Sequence, residues 1–262
     1  MMRKKFSFDD LVEIMKKLRS PDGCPWDREQ THESLVPYLI EETYEVVDAI
    51  AKGNWENLKE ELGDLLLQVV FHSQIASERG KFTIDDVIDG ICGKLIFRHP
   101  HVFGDRSDIK TSEDVLEKWE EFKEKEGKKR KSLLDGIPES LPALDYALKL
   151  QKRAAKVGFD WKDFEGIKEK LLEEIREIEE SYRKEDKRKI EEEVGDLLFM
   201  VVNLARKLNV NPEMALRKAN KKFVDRFSYI EEKAKEKRES LKEMSLEEME
   251  KLWQEAKQKE QK

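Results

Sequence analysis

Two segments of the sequence carry the same acidic pattern, Glu-Glu-x-x-Glu followed after fifteen residues by Glu-x-x-Asp. The ten acids are Glu41, Glu42, Glu45, Glu61 and Asp64 in the first copy, and Glu173, Glu174, Glu177, Glu193 and Asp196 in the second. On a helix, side chains three or four residues apart share a face and lie roughly 5–6 Å apart. Carboxylates held this close repel each other, which raises their pKa values or destabilises the fold unless a cation lies between them. Because the set offers only oxygen ligands, the pattern predicts a site for Mg²⁺, with Mn²⁺ as the second choice.

The spacing within each copy predicts an antiparallel pair of helices. Fifteen residues accommodate the end of one helix, a short turn and the start of the next, and short connections join antiparallel neighbours. In the second copy, the charged stretch from Arg183 to Arg188 is predicted to supply this turn. Apolar residues flank the acids on both helices, so we expect the acids beside the stripe that faces the core. Gly63 and Gly195 lie in mid-helix, at a cost of up to about 1 kcal/mol relative to alanine. They predict a close helix crossing or the close approach of a ligand.

The acidic pattern is part of a larger internal repeat. Residues 39–71 align without a gap on residues 171–203, and thirteen of the 33 positions are identical. Helical periodicity extends through most of the chain, and no segment shows a convincing strand period of two. The sequence therefore predicts an all-α fold, a tandem repeat of helical-bundle modules. Proline and glycine cluster between the copies, which predicts an N-terminal domain at 1–126, a linker at 127–142 and a C-terminal domain at 143–262.

The composition narrows the class of protein. The chain has 262 residues and a net charge of -7, and this acidic balance argues against duplex nucleic acid as the main partner. Its two cysteines, Cys24 and Cys92, have no neighbouring cysteine, which argues against a disulfide framework and against a structural zinc site. No apolar run reaches the roughly 18 residues of a membrane helix, and no signal peptide precedes the first amphipathic segment. We therefore expect a cytoplasmic protein with no membrane partner.

Basic residues near the acidic patterns indicate what a bound cation would act on. Lys222 and Arg226 lie four residues apart on one predicted helix face, where they are able to grip a polyphosphate. They align with Lys94 and Arg98 of the first copy once a four-residue gap is allowed. Lys189, one turn before the second Glu-x-x-Asp, is able to join them. These cations predict a phosphate-binding site beside the acids.

Several classes of catalyst are excluded because their motifs are missing. The sequence has no Walker A motif or other Gly-rich phosphate loop, and no identifiable Ser/His/Asp or Cys/His set. A di-iron carboxylate bundle requires Glu-x-x-His motifs, and none of the four histidines follows a glutamate of the acidic pattern at that spacing. The remaining chemistry is attack on phosphorus by water that a metal or a carboxylate activates. The competing interpretation is that the acids are merely solvated helix faces, and the recurrence of the pattern in a diverged second copy argues against it.

The acidic pattern resembles that of the MazG family of all-α nucleoside triphosphate pyrophosphohydrolases, and other motifs resemble its full-length, two-domain members. These motifs are Leu18-Arg19, Gly23-Cys24-Pro25-Trp26-Asp27, Gln30-Thr31, Glu41-Glu42-Thr43-Tyr44-Glu45-Val46, Arg98-His99-Pro100-His101-Val102-Phe103, Gly158-Phe159-Asp160-Trp161, Asn220-Lys221-Lys222-Phe223 and Arg226-Phe227. The resemblance extends from about residue 7 to residue 257. It implies a Mg²⁺-dependent homodimer that cleaves NTPs and dNTPs between the α- and β-phosphates. The products would be the monophosphate and pyrophosphate, and the role would be house-cleaning of the nucleotide pool.

The resemblance also implies roles for individual residues, with the main activity in the C-terminal copy. The catalytic and metal-ligating set would be Glu174, Glu177, Glu193 and Asp196. The nucleotide-binding set would be Lys170, Glu173, Lys189, Glu192, Lys222, Arg226 and Trp253. Trp253 would lie near the base or ribose, although simple helix packing beside Met249 and Leu252 is its alternative. The second, N-terminal site would contain Glu41, Glu42, Glu45, Glu61, Asp64, Lys94 and Arg98.

Two substitutions separate the first copy from the second. Asn57 stands where the second copy has Lys189, and Cys92 stands where it has Asn220. The first site is therefore expected to bind metal and still to be weaker or silent. The sequence leaves two other functions open. One is a specialised relative, such as a dUTPase-like or phosphoribosyl-ATP pyrophosphohydrolase, and the other is a non-catalytic module that senses nucleotides.

Overall fold

The computed structural model describes residues 5–105, 109–111, 114–115, 118 and 132–260. The chain divides into two compact units, residues 1–128 and 129–262. Every regular element within the described ranges is a helix, which confirms the predicted all-α fold. None of these helices is long and apolar enough to cross a bilayer. Residues 127–131, with which the predicted linker begins, lie outside the described residues.

Six helices of the N-terminal unit have both ends within the described residues. They are α1 (Phe8–Leu18), α2 (Pro25–Glu29), α3 (Val36–Lys52), α4 (Trp55–Glu78), α5 (Ile84–Arg98) and α6 (Pro100–Phe103). Local sequence determines where they begin: Ser7 forms a capping box with Asp10 ahead of α1, and the Asn54 side chain accepts a hydrogen bond from the Asn57 backbone N–H at the start of α4. Gly53 ends α3 with a φ of 63°, a left-handed conformation that glycine adopts without strain.

Helices α1, α3 and α5 pack against α4, which is the central helix of this unit. The buried core consists of Met15, Leu35, Val70, Phe71 and Ile75. On α1, the partly buried residues Phe8, Leu11, Val12 and Leu18 pack against this core and recur with Met15 at three- and four-residue steps, as an amphipathic helix requires. Each fully buried side chain of this size contributes about 1.5–3 kcal/mol. The core therefore fixes the C-terminal half of α4, while Glu61 and Asp64 of the first copy lie in its N-terminal half.

The C-terminal unit has five helices in its described part. They are α7 (Ala143–Lys156), α8 (Phe164–Arg183), α9 (Lys187–Lys207), α10 (Pro212–Lys237) and α11 (Leu246–Lys259). Helix α9 packs against α7 and α8, and α10 packs against α11. The segment before α7 is tied to it, because Arg153 Nη1 donates hydrogen bonds to the carbonyl oxygens of Leu133 (3.1 Å) and Asp135 (2.6 Å).

Helices α10 and α11 form a hairpin with a small core of its own, made by Ile230, Ala234, Met244 and Leu252. Before that core begins, α10 crosses a stretch in which residues 218–225 are all exposed. This stretch contains Lys222 and therefore has no cover within one copy of the C-terminal unit.

Both acidic helix pairs leave an apolar face uncovered. In the C-terminal unit the exposed members are Leu172, Ile175, Val194, Leu198 and Val201, and in the N-terminal unit they are Ile40, Leu62, Leu66 and Val69. The expectation that this stripe faces the core is therefore wrong for these residues, because no element among the described residues of the same unit covers them. The predicted close crossing at Gly63 and Gly195 is also wrong within the described chain, since a Cβ at either glycine would meet no atom within 4 Å.

Candidate active site

The turn between α8 and α9 brings the acids of the second copy face to face. Helix α8 ends at Arg183 and α9 begins at Lys187, as the charged stretch predicted. Glu185 occupies the left-handed region in the turn (φ 54°), and the Asp186 side chain accepts a hydrogen bond from the Lys189 backbone N–H (3.1 Å). The result is the antiparallel pair that the fifteen-residue spacing predicted.

Three glutamates converge across this helix pair. One carboxylate oxygen from each of Glu174, Glu177 and Glu193 lies within 4.8 Å of the other two. Glu174 is 3% exposed and Glu193 is 7% exposed, so two of the three carboxylates are removed from water. Burial, and next the repulsion from Glu193, raise the pKa of Glu177, while attraction from Lys170 opposes the rise. Such a buried acidic cluster needs positive charge in order to remain ionised at neutral pH.

Two lysines supply part of that charge. Lys170 Nζ forms ion pairs with Glu173 Oε1 (2.8 Å) and Glu174 Oε1 (2.9 Å), and these hydrogen bonds raise the pKa of Lys170 above its usual range. Lys189 Nζ lies 3.7 Å from Glu193 Oε1. Lys170 lies one helical turn before Glu174, and Lys189 lies one turn before Glu193. Both lysines therefore contact the cluster from its edge. Glu177 forms no ion pair within the described part of the chain.

The other acids predicted for this site lie around the three-glutamate cluster. Asp196 is exposed and does not belong to the group of three, although it lies one turn after Glu193 on α9. Glu173 is exposed and bonded to Lys170, and Glu192 is exposed. Glu173 and Glu192 lie outside the cluster because of helical geometry. Adjacent positions on a helix point about 100° apart, so only one glutamate of each adjacent pair faces the partner helix.

The first copy forms a matching but more open cluster. Oxygens of Glu42, Glu45 and Glu61 lie within 4.8 Å of one another across α3 and α4, while Glu41 is exposed. Burial, and then repulsion from Asp64 and Glu45, raise the pKa of Glu42. Burial and repulsion from Glu45 likewise raise the pKa of Glu61.

No lysine compensates the first cluster. Tyr38 and Asn57 occupy the positions that correspond, at the repeat offset of 132, to Lys170 and Lys189. Within the described residues, no basic side chain forms an ion pair with Glu42, Glu45 or Glu61. The two clusters therefore share the arrangement of their acids and differ in their cations.

The cations predicted on α5 and α10 do not join the acids of their own helix pair. Lys94 and Lys222 are exposed. Arg98 is half-buried near the end of α5. Arg226 pairs instead with Glu260, whose Oε2 lies 2.7 Å from its Nη2. Within one copy, the cations predicted to bind phosphate thus form no ion pair with the glutamate clusters among the described residues.

Trp253 lies on α11 and packs against α10. The Arg226 guanidinium carbon lies 5.3 Å from the centre of the Trp253 ring, and the Phe223 ring centre lies 5.4 Å from it. This contact agrees with the packing alternative for Trp253, and it also groups the indole with Arg226 and Lys222 on one hairpin.

Replacing Glu42 with glutamine should stabilise the metal-free protein at pH 7. The folded-state pKa of Glu42 lies above 4.5, so the stability that its carboxyl contributes is present below pH 4.5 and is lost as the pH rises through the folded pKa. We expect Glu42→Gln to gain about 0.5 kcal/mol at pH 7, the size of one like-charge pair on neighbouring helical positions. Thermal unfolding in chelator between pH 4 and pH 8 measures it.

The control for this prediction is Glu41→Gln, the same change at the exposed neighbouring acid, which should leave the melting temperature unchanged. The gain of Glu42→Gln should shrink as the pH falls towards 4.5 and disappear below it, where the wild-type carboxyl is protonated in both the folded and the unfolded state. A lower melting temperature of Glu42→Gln at pH 7 without metal would show that the first cluster carries no electrostatic strain.

The structure also contains a group of polar residues to which the sequence analysis gave no role. Gln151, Asp160, Asn203 and Arg206 line a cavity of ≈ 630 Å³ in the C-terminal unit. Asp160 belongs to the motif Gly158-Phe159-Asp160-Trp161, but the motif alone does not show which residues the Asp160 side chain contacts. The sequence does contain a signal for this cavity: Gln151 and Asn203 are polar residues at positions where an amphipathic helix otherwise carries its buried apolar residues.

Comparison with known proteins gives a consistent result. The sequence profile described as the MazG nucleotide pyrophosphohydrolase domain matches residues 30–103 and again residues 162–230. The chain is 54% identical over 251 residues to the nucleoside triphosphate pyrophosphohydrolase/pyrophosphatase MazG of Thermotoga maritima, and the aligned region covers 95% of this chain and 95% of that one. It is 49% identical over 257 residues to the nucleoside triphosphate pyrophosphohydrolase of Escherichia coli, covering 96% of this chain and 97% of that one. It is 50% identical over 252 residues to the uncharacterized protein YabN of Bacillus subtilis, covering 95% of this chain and 51% of that one. The profile occurs twice, as the internal repeat predicted, and the chain therefore belongs to the MazG nucleotide pyrophosphohydrolase family.

Proposed function

We propose that this protein hydrolyses NTPs and dNTPs to the nucleoside monophosphate and pyrophosphate, and that it clears unwanted nucleotides from the pool. The observation that carries the proposal is the buried convergence of Glu174, Glu177 and Glu193. Two relatives that match nearly the whole chain are named for this activity. The main site is proposed to be the C-terminal one, because only there do lysines accompany the acids.

The donor set of the C-terminal cluster fits a hard divalent cation. Its atoms are carboxylate oxygens only, and one from each of the three glutamates lies within 4.8 Å of the other two. Burial, and after it repulsion from Glu193, raise the pKa of Glu177. We propose that Glu174, Glu177, Glu193 and Asp196 hold Mg²⁺, with Mn²⁺ as the alternative. When bound, Mg²⁺ supplies Lewis-acid neutralisation of the charge on the phosphate oxygens.

The residues of the chain perform the remaining steps. Water attacks the α-phosphorus, the bond from that phosphorus to the bridging oxygen breaks, and pyrophosphate leaves. Glu177 is proposed to accept the proton of the water through the carboxylate oxygen that does not face the cation, because it is the member of the cluster that forms no ion pair with a lysine among the described residues. Lys170 and Lys189 lie at the rim, where they are able to exchange a carboxylate for a phosphate oxygen when the substrate arrives.

A homodimer explains the parts that one copy leaves unfinished. The exposed residues Leu172, Ile175 and Leu198 form an apolar face beside the acids, and faces of this kind are buried in stable proteins. A two-fold partner seated on this face would cover it with the same residues. Gly195 lies on α9, one turn before Leu198, and has open space beside it, which permits a partner helix to approach closely.

The same partner is proposed to complete the site. Lys222, Arg226 and Trp253 lie on a hairpin that does not cover the acids of its own copy, and the exposed stretch 218–225 needs a surface to meet. We propose that this hairpin supplies phosphate-binding cations, with Trp253 near the base or ribose, to the acids of the second copy. Glu173 and Glu192 are proposed to orient Lys170 and Lys189 at the rim.

The N-terminal site is proposed to bind metal and to be weaker or silent. Glu42, Glu45, Glu61 and Asp64 provide the oxygens, while Tyr38 and Asn57 remove the lysines of the second site. Lys94 and Arg98 remain as its only proposed phosphate contacts.

The acidic net charge of -7 supports the proposal that duplex nucleic acid is not a partner. The cysteines Cys24 and Cys92 are both free, which supports a reducing, cytoplasmic location. No part of the proposed reaction requires a membrane.

Release of pyrophosphate tests the proposed function directly. A panel of the NTPs, the dNTPs, dUTP and phosphoribosyl-ATP should be assayed with Mg²⁺, with Mn²⁺ and with chelator. We expect pyrophosphate from several NTPs and dNTPs, and a loss of at least about 10³-fold in chelator, since metal neutralisation of phosphate charge is worth several kcal/mol.

The products separate the alternatives. Activity confined to dUTP or to phosphoribosyl-ATP would replace the broad proposal with a specialised one. Orthophosphate instead of pyrophosphate would contradict cleavage at the α-phosphorus. Thermal stabilisation by nucleotides with no hydrolysis product would favour a sensing module.

A further inference from the structure

Two histidines of the N-terminal unit form a head-to-head pair between separate elements. His72 lies on α4, and His32 lies in the turn that leads into α3. Their Nδ1 atoms are 2.8 Å apart, and the two rings are parallel (interplanar angle 0°) with centres 5.1 Å apart. The distance between the centres is the Nδ1–Nδ1 distance plus one ring radius at each end, so the rings lie in line and not face to face. This geometry is that of a single N–H···N hydrogen bond.

Only one proton fits between these two nitrogens. A neutral imidazole has one N–H and one bare nitrogen, whereas an imidazolium has two N–H groups. At 2.8 Å, two bare nitrogens would repel each other through their lone pairs, and two N–H groups would direct hydrogen at hydrogen. The bond therefore holds while at most one of the two rings is charged, and it is lost when both are charged.

The surroundings of His72 oppose a charge on its ring. His72 is half-buried, and its Nε2 is buried without a hydrogen-bond partner among the described residues. Burial lowers the pKa of His72 below 6.5, and repulsion from His32 lowers it further. Buried N–H groups without a partner are rarer in proteins than buried acceptors without one. We therefore expect neutral His72 to carry its proton on Nδ1 and to donate it to His32.

The charged groups around the pair leave His72 without a counter-ion. Glu33 lies beside His32 in the turn, where it attracts His32 and the exposed Arg79. Arg19, at the end of α1, is paired with Glu78 on α4. The first charged residues of the other helices that pack against α4 are Glu41 on α3, and Asp85 and Asp86 on α5. Among the described residues, the charge that acts on His72 is that of His32.

The pair fastens the entrance of α3 to α4. His32 lies between Gln30 and Leu35 in the segment 30–35. The Gln30 carbonyl oxygen accepts a hydrogen bond from Arg19 Nη1 (3.3 Å), and Leu35 is 1% exposed in the core. Helix α3 begins directly after Leu35 and carries two glutamates of the first cluster, while α4 carries the third. The bond therefore holds together the two helices on which the first cluster lies.

We propose that the His32–His72 pair is an acid-sensitive clamp, which holds the segment 30–35 against α4 and releases it when both rings are protonated. Because the folded-state pKa of His72 is lowered, the stability that neutral His72 contributes is fully present above pH 6.5 and is lost as the pH falls through the folded pKa. The acids of the first cluster act in the opposite direction, since the raised pKa values of Glu42 and Glu61 make their protonation stabilising. The clamp does not depend on the catalytic activity proposed above.

Histidine NMR tests the pair in the intact protein. The sequence has four histidines, all in the N-terminal unit, so ¹⁵N-labelled histidine gives few signals and single His→Asn variants assign them. At pH 8 we expect the proton of His72 on Nδ1 and that of His32 on Nε2, as one shared hydrogen bond requires. As the pH falls, the two rings should titrate in two coupled steps.

Hydrogen exchange followed by mass spectrometry measures the release. After correction for the intrinsic effect of pH, residues 30–35 should exchange at least about five-fold faster at pH 4.5 than at pH 7.5, the effect of losing one hydrogen bond. His32→Asn places an uncharged amide near the position of Nδ1, which is able to accept from or donate to His72, so this variant should lose most of the acceleration. His99→Asn, at a half-buried histidine of the same unit, is the matched control and should keep it.

Three results would overturn the clamp. The first is that both His32 and His72 carry their proton on Nε2 at pH 8, because the hydrogen bond would then be absent. The second is that the two rings titrate independently of each other. The third is that His32→Asn keeps the same acid-induced acceleration in residues 30–35 as His99→Asn. The first two are measured in the wild type, so they decide the proposal even if His32→Asn does not fold.

Discussion

Glu193→Gln is expected to abolish pyrophosphate release, with a loss of at least about 10³-fold in kcat. The substitution preserves the size of the side chain and removes one of two buried charges from the three-glutamate cluster, so the site loses an oxygen ligand without losing its packing. Because the acids repel one another when no metal is bound, the metal-free variant should be no less stable than the wild type. Pyrophosphate release and the thermal shift caused by Mg²⁺ are the two measurements.

The matched control is Glu61→Gln, the same substitution at the equivalent position of the first copy. We expect it to reduce kcat by less than about three-fold, because the N-terminal cluster lacks the lysines that accompany Glu174 and Glu193. Each variant should lose only the part of the Mg²⁺-induced stabilisation that belongs to its own unit. Equal losses of activity from Glu61→Gln and Glu193→Gln would end the proposal of an unequal pair. Full activity of Glu193→Gln would remove the three-glutamate cluster from the mechanism.

The second large effect is expected at the exposed apolar face of α8 and α9. Placing charges there by the double substitution Ile175→Asp and Leu198→Asp should convert the proposed dimer into monomers, because an unpaired carboxylate in an apolar interface costs several kcal/mol. Sedimentation velocity at micromolar concentration measures the change. If the partner completes the site, pyrophosphate release should fall by at least about 10²-fold in the monomer. A control with Glu179→Asp and Arg183→Lys, on exposed positions of α8, should leave the assembly intact.

Mixing two inactive variants determines whether the site is shared between copies. Glu193→Gln lacks the acid, and Arg226→Ala lacks the cation on the α10–α11 hairpin. After co-refolding in equal amounts, half of the dimers contain one chain of each variant. If each hairpin serves the other copy, each of these mixed dimers has one intact site of two, so about a quarter of the wild-type activity should return. Demonstrated mixed dimers with no recovered activity would mean that Arg226 acts on the acids of its own chain.

Local regularities allowed the sequence to predict the helices and the turn that join the acids. The spacing of Glu174 and Glu177 is a property of one helix, and the helical period fixes the face on which it places them. Asp186 caps α9 through its own side chain, and Gly53 ends α3 through its own backbone freedom, so both signals are readable residue by residue. The internal repeat added the tandem arrangement, which the family profile confirms by matching the chain twice.

The packing between helices could not be predicted from the sequence in the same way. The sequence grouped Asp196 with Glu193, but the structure leaves Asp196 exposed, because the rotation of α9 against α8 depends on side chains from both helices. It predicted a core-facing stripe at Leu172 and Leu198, and these residues are exposed because no other described element of the C-terminal unit covers them.

The sequence by itself determined that this protein is all-helical, that it repeats, and that each repeat carries paired carboxylates on facing helices, since these are consequences of short-range spacing. Only the tertiary structure decided which three glutamates converge, which lysines meet them, and that Gln151, Asn203 and Arg206 from two different helices meet around one cavity. The physical reason is that a hydrogen bond or a buried charge depends on distances in space between residues far apart in the chain, and those distances follow from the packing of the whole unit.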